Sequence, residues 1–174
     1  MKFIIDTIGR GIVWEDKCVL IGDTQSDLLK LLGEPEIVRG SWYYFDGELR
    51  FDFDADERVE FIEFLGGIDG NLQPWIFGTD VFSSDSDDLF AILNKQNGAA
   101  KVLEDKGYFY GFCGIGIGIY RDCTPADLED FADELLEDIE EFGEDAVDTD
   151  SLKKDIRLTY HWNTIGLGGV DYYK

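Results

Sequence analysis

Four carboxylates in the first half of the chain stand at spacings that could hold a cation. Asp52, Asp54 and Asp56 alternate and Glu63 follows eleven residues after Asp52, matching positions 1, 3, 5 and 12 of a calcium-binding loop. The sixth position of such a loop turns sharply and needs glycine, yet Glu57 holds it, and the flanks read as strands rather than helices. An acidic hairpin is therefore expected here, with calcium binding by Asp52, Asp54, Asp56 and Glu63 left open.

The other groups with chemistry of their own are one histidine, His161, and three cysteines, Cys18, Cys113 and Cys123. A single imidazole excludes a histidine-rich zinc site, and no C-x-x-C pair occurs. Cys113 or Cys123 beside His161 would make a nucleophile and its base, although cysteine more often serves as a small buried apolar side chain. No G-x-S-x-G elbow, P-loop or H-E-x-x-H is present. A pair of carboxylates could act as acid and base in a glycosidase, but with 38 in the chain no pair is singled out. The expectation is no catalytic residue, no metal and no cofactor; an enzyme of unrecognised class using a Cys–His or carboxylate pair is the alternative.

Against those 38 acidic residues stand 15 basic ones, a net charge of −23. Such a field disfavours nucleic acid and anionic membranes and favours basic proteins. The surplus is concentrated: Asp122 to Asp150 holds 14 carboxylates and no lysine or arginine. Within it Leu128, Phe131, Leu135, Ile139 and Phe142 form one helical stripe, opened by Thr124-Pro125 and stopped by Gly143. Like charges three and four residues apart on the opposite face cost roughly a few tenths of a kcal/mol per pair. Such a face is either a plain solvated surface or a landing site for a positive one; on the second reading Asp130, Asp133, Glu134, Glu137, Asp138, Glu140 and Glu141 are the predicted partner-binding residues, with Trp42, Trp75 and Trp162 as candidate aromatic anchors.

These groups need elements to position them. Asp23-Thr24 caps a short helix whose Leu28, Leu31 and Leu32 recur at helical spacing before Gly33 and Pro35 close it. Trp42 to Phe45, Leu49 to Asp54 and Val59 to Phe64 read as a three-stranded meander, with Phe51 and Phe53 on one face and carboxylates on the other. A looser copy follows, with caps at Ser84 to Asp88, an apolar face of Leu89, Phe90 and Leu93, a stop at Asn97-Gly98, and strands at Tyr108 to Phe112 and Ile115 to Tyr120. From Gly114 to Ile119 glycine and isoleucine alternate, giving a strand with one bare face that should accommodate a helix backbone or a flat ring. Ile156 to Trp162 reads as a strand, and Thr164 to Tyr173 as a glycine-broken strand or tail.

Hydrophobic residues make up 44% of the chain and aromatics 14%, enough for a proper core. The expected fold is α+β, two tandem helix-plus-antiparallel-sheet units with a long acidic helix in the second half. It forms one compact domain, 1–174, readable as structural units 1–78 and 79–174. No apolar run approaches the roughly 18 residues of a membrane span, no leader pattern opens the chain, and the cysteines are odd in number. Free thiols and a cytoplasmic location are expected.

Gly22-Asp23-Thr24, Asp27-Leu28, Leu31-Leu32-Gly33-Glu34-Pro35, Trp42-Tyr43-Tyr44 and Leu49-Arg50-Phe51-Asp52-Phe53-Asp54 together resemble the SmpA/OmlA (BamE-like) module across residues 22–64. The resemblance implies a helical segment packed on a small antiparallel sheet. The related β-lactamase-inhibitor proteins use two such units in tandem to present a concave sheet to an enzyme. In type, an acidic, cofactor-free chain of this size is also similar to the immunity proteins that bacteria keep against secreted polymorphic toxins. The two resemblances imply an acidic cytoplasmic protein-binding module, an immunity protein that neutralises a toxin or nuclease by binding it, with a basic protein as partner and neither nucleic acid nor membrane.

Overall fold

Alternating apolar and polar residues resolve into 13 short strands in a computed structural model that describes residues 1–128, 131, 149–169 and 172–173. The smaller sheet has the order β3 (Lys17–Leu20), β2 (Gly11–Trp14), β1 (Lys2–Asp6), β8 (Gln73–Ile76), β9 (Thr79–Asp80), and only β1 and β8 run parallel. The larger sheet is antiparallel throughout, in the order β10 (Val102–Asp105), β11 (Phe109–Phe112), β12 (Ile117–Tyr120), β13 (Thr164–Gly168), β7 (Val59–Phe64), β6 (Leu49–Phe53), β5 (Ser41–Tyr44), β4 (Glu36–Val38). The described residues also form three α-helices, α1 (Gln25–Leu32), α2 (Ser86–Asn97) and α3 (Thr149–Thr159).

Strand register explains why the larger sheet holds together. Directly opposed residues share a face, and Ile37, Trp42, Phe51, Ile62, Leu167, Ile117, Phe112 and Val102 oppose one another in sequence across all eight strands. A second row, Tyr44, Leu49, Phe64, Ile165, Ile119 and Tyr110, runs beside it on the same face. Most of these side chains are buried, and each buried aliphatic or aromatic side chain stabilises the fold by about 1.5–3 kcal/mol.

The smaller sheet and two helices cover this apolar face. At one end Phe3 of β1 meets Phe45 and Phe64 edge-on at 5.8 and 5.2 Å, so the smaller sheet shares one core with the larger. At the other end α2 buries Leu89 and Leu93 and sets Phe90 against Tyr110 and Phe112. α1 adds Leu28, and begins in a reciprocal capping box between Thr24 and Asp27. A buried cation ties the second end together. Arg121 donates to Gly107 O, Ser86 Oγ and Thr159 O and lies 4.7 Å from the Trp162 ring, whose indole N–H donates to Ser86 O.

The expected fold class is corrected on three points. The protein is predominantly β, with helices of 8, 12 and 11 residues among those described, and its strands do not form two tandem helix-plus-sheet units. Strands from both halves enter one eight-stranded sheet because β13 pairs with β7, matching Ile165 with Phe64 and Leu167 with Ile62. The N-terminal strands β1 to β3 form a second sheet that the expected architecture lacked. Ile156 to Trp162 is not a strand: α3 runs through Thr159 and a turn follows, because the polar helix formers preceding Ile156 carry the helix into that stretch. The expected helix over Pro125 to Phe142 falls almost wholly outside the described residues.

The β7–β13 pairing makes a direct prediction. Leu167→Ala removes buried volume where the two halves of the sheet join, and should lower stability by about 2–5 kcal/mol. Urea denaturation followed by tryptophan fluorescence checks it; a loss below about 0.5 kcal/mol, the range of exposed sites, would show that the seam is not packed as described.

Candidate functional site

The opposite face of the larger sheet carries a different row: Glu36, Tyr43, Arg50, Glu63, Gly166, Gly118, Gly111 and Leu103, each opposed to the next. Three glycines abreast on adjacent strands leave a trough. A methyl group on Gly118 would collide with the Tyr173 phenol, and one on Gly166 with the Phe61 ring. The bare glycine face therefore receives flat rings, as expected, although only Gly118 of the Gly114–Ile119 run lies within a strand; Gly114 and Gly116 belong to the turn before it. Tyr172 stacks on Phe61 with centroids 4.5 Å apart and planes 5° apart, and Tyr173 approaches Phe109 at 6.1 Å. Burial, with Tyr172 as a lesser cause, pushes the Tyr173 phenol far above its ordinary pKa.

Beside the trough an ion-pair network faces the same cleft. Arg50 reaches Asp52 at 2.7 Å and Glu63 at 3.0 Å, and its guanidinium lies 5.5 Å from the Phe61 centroid. Thr164 donates to Glu63 at 2.9 Å, and Ser41 to Asp52 at 2.5 Å. Arg50 Nε is buried and has no hydrogen-bond partner among the described residues. Burial raises the Glu63 pKa above 4.5; Arg50 and Thr164 oppose that rise, and Asp52 adds to it. The cleft has a volume of about 290 Å³ and is lined by Arg50, Phe61, Glu63, Tyr120, Tyr172 and Tyr173 among others. Chemically it offers flat apolar walls, one guanidinium and a carboxylate that takes a proton more readily than an exposed one.

The four carboxylates at calcium-loop spacing do not converge. Asp52 and Glu63 are engaged with Arg50, while Asp54 Oδ1 accepts the N–H groups of Asp56 and Arg58 and shapes the β6–β7 turn. Among the described residues no three histidine, cysteine or acidic side chains are grouped to hold a metal. His161 Nδ1 lies 2.9 Å from Ser84 O, and the Cys113 thiol donates to Tyr173 O at 2.6 Å. No hydrogen bond joins a cysteine to His161 among the described residues. Burial, followed by neighbouring aspartates, raises the pKa of Cys18 and Cys123, which lowers their thiolate fraction.

The predicted partner-binding residues Asp130, Asp133, Glu134, Glu137, Asp138, Glu140 and Glu141 lie outside the described residues. The entry to their segment is described and follows the sequence: Thr124 N and Oγ1 donate to Asp127 Oδ2 at 2.5 and 2.8 Å, and Tyr108 donates to Asp127 Oδ1 at 2.7 Å. The Tyr108 hydrogen bond, then those from Thr124, hold the Asp127 carboxyl below its ordinary pKa. Of the candidate aromatic anchors, Trp42 and Trp162 are buried in the core and so unable to reach a partner. Trp75 is half-buried beneath Lys2 Nζ, 3.5 Å from its ring centroid. The Arg50 network was not anticipated; its readable signal was a lone arginine on an acidic strand face.

Compared with protein-family models, curated proteins and solved structures, the chain matches none. Among the described residues no helix is long and apolar enough to cross a membrane.

Two outcomes follow from this geometry. Gly166→Ala should destabilise by about 1–3 kcal/mol, because the added methyl must move Phe61 against Tyr172; chemical denaturation measures it. Glu63 has a raised folded-state pKa, so its contribution to stability is full below pH 4.5 and is lost as pH rises through the folded value. The stability difference between the wild type and Glu63→Gln should therefore move against the wild type as pH rises from 4.5. A difference constant from pH 4 to 8 contradicts the assigned burial.

Proposed function

We propose that this chain is an acidic binding module for a basic protein, and that the partner is a toxin or nuclease which it neutralises in the manner of an immunity protein. The observation that carries the reading is the distribution of charge. Fourteen carboxylates and no base lie between Asp122 and Asp150, while the rest of the chain sets 24 acidic residues (38 less 14) against 15 basic ones. A field concentrated in one segment raises encounter rates with a cationic surface, and a nuclease groove is cationic because it holds phosphates.

Other features support the same reading. His161 and Cys113 are engaged by backbone carbonyls, and the carboxylates Asp52, Asp54, Glu63 and Asp127 by structural hydrogen bonds or ion pairs. Cys18, Cys113 and Cys123 are free thiols, which suits a reducing compartment, and we place the protein in the cytoplasm on that ground. Asp130, Asp133, Glu134, Glu137, Asp138, Glu140 and Glu141 would meet the partner.

The test is charge reversal at Glu137, Glu140 and Glu141 to lysine, with a panel of basic nuclease domains as probes and association followed by stopped flow. The triple variant should bind at least about tenfold more slowly at low salt, and the gap should close as salt is added. An on-rate and affinity unchanged by the triple reversal remove this segment from the interface.

A further inference from the structure

The long apolar row of the larger sheet is covered along its length but not at one end. Ile37 is its terminal residue, on the same face as buried Trp42 and Phe51, and 60% of it is exposed. The reason is topological: β4 is the last strand, and among the described residues no strand pairs with its outer side. β4 is nonetheless held in place, because Arg39 and Gly40 both take positive φ, 53° and 94°, in a two-residue turn of the kind that pins a hairpin to β5. An open edge next to an uncovered core residue is a template for one more strand.

Charge on the other face restricts what that strand can be. Glu36 ends the row through Tyr43, Arg50 and Glu63, and beside it lies a recess of about 360 Å³ lined by Glu34, Glu36, Asp46 and Tyr43 among others. Side chains alternate across a strand, so an added strand places one residue opposite Ile37 and the adjacent one opposite Glu36. The first site takes an apolar side chain and the second a lysine or arginine.

We infer that β4 is an interaction edge which accepts an extended segment of the basic partner by strand addition, with an apolar residue against Ile37 and a basic neighbour against Glu36. This rests on the basic-partner reading and adds the place and form of contact. A second copy of the chain fits less well, since antiparallel self-pairing brings together two acidic recesses on molecules of charge −23 each.

The test uses a fluorescent Arg-Val-Arg-Ile-Arg-Val-Arg peptide and its analogue N-methylated at every internal backbone amide, equal in charge but unable to donate to a strand ladder from either edge. The unmodified peptide should bind at least tenfold more tightly than the analogue, protect the amides of residues 36–38 from hydrogen exchange, and lose that advantage with Ile37→Lys. Ile37 is mostly solvent-exposed, so this variant should keep the wild-type melting temperature, and peptide binding to the rest of the surface should persist. Equal binding of the two peptides, or protection outside β4, overturns the proposal. If polylysine and the nuclease probes bind but the peptides show no backbone preference, strand addition alone falls; if no cationic probe binds at low salt, the basic-partner reading falls with it. Concentration-dependent dimerisation in sedimentation that Ile37→Lys abolishes would assign the edge to a second copy and overturn the proposal likewise.

Discussion

The antiparallel pairing of β13 with β7 is the constraint on which the rest of the molecule depends. It joins residues about a hundred positions apart in the chain, and it makes two short groups of strands into one sheet with two uninterrupted apolar rows. Strand pairs alone are marginal in water, and three or more with an apolar face are needed for stability. Across this seam Ile62 meets Leu167 and Phe64 meets Ile165, all four buried. The same registration sets the other face, because a slip of one residue would turn every side chain over. Arg50 and Glu63 meet there, and the glycines line up, only because the core rows are in register on the reverse side.

That outer face is organised by two kinds of compensation. Glycine leaves nothing to pack in a strand, and Gly118 and Gly166 are tolerated because Tyr173 and Phe61 fill the space their missing side chains leave. Burying Glu63, 14% exposed, disfavours its charge, and Arg50 and Thr164 offset this by pairing with it. The rings shield the ion pair from water, which strengthens the Coulomb attraction. The tyrosines therefore stabilise the sheet and shape the polar site together.

Local signals were legible where their physics was local. The Thr24 cap and Leu28 face, the meander from Ser41 to Phe64, the α2 stop at Asn97-Gly98 and the Thr124–Asp127 cap all depend on residues within a few positions of one another. What was not legible depended on distant partners. Nothing near Thr164 announces that it will lie beside Glu63, and the alternation of Ile156, Leu158, Tyr160 and Trp162 mimics a strand while helical residues upstream decide otherwise. The calcium-like spacing was legible as an acidic hairpin, since β6 and β7 pair antiparallel there; what was not legible is that Arg50, two residues before Asp52 on the same face, pairs with it. The glycine alternation was half legible, since the need for a flat neighbour is local and the identity of the ring is not.

Two of the chain's scarce bases are spent on its scaffold. Arg121 is 6% exposed and its charge is met by two carbonyls, a hydroxyl and the Trp162 ring rather than by a carboxylate. Burial lowers its pKa, and the neighbouring Tyr110, Asp87 and Asp127 act in the opposite direction. Its hydrogen bonds hold α2, the β10–β11 turn and the end of α3 to one point. Arg50 is likewise drawn into the sheet by Asp52 and Glu63. Arg121 is withdrawn from the surface alone, whereas Arg50 takes Asp52 and Glu63 with it, so the two withdrawals leave the net surface charge where composition puts it. Both arginines thus lock the scaffold by different means, Arg121 through carbonyls, a hydroxyl and a ring, and Arg50 through two carboxylates on its own sheet face.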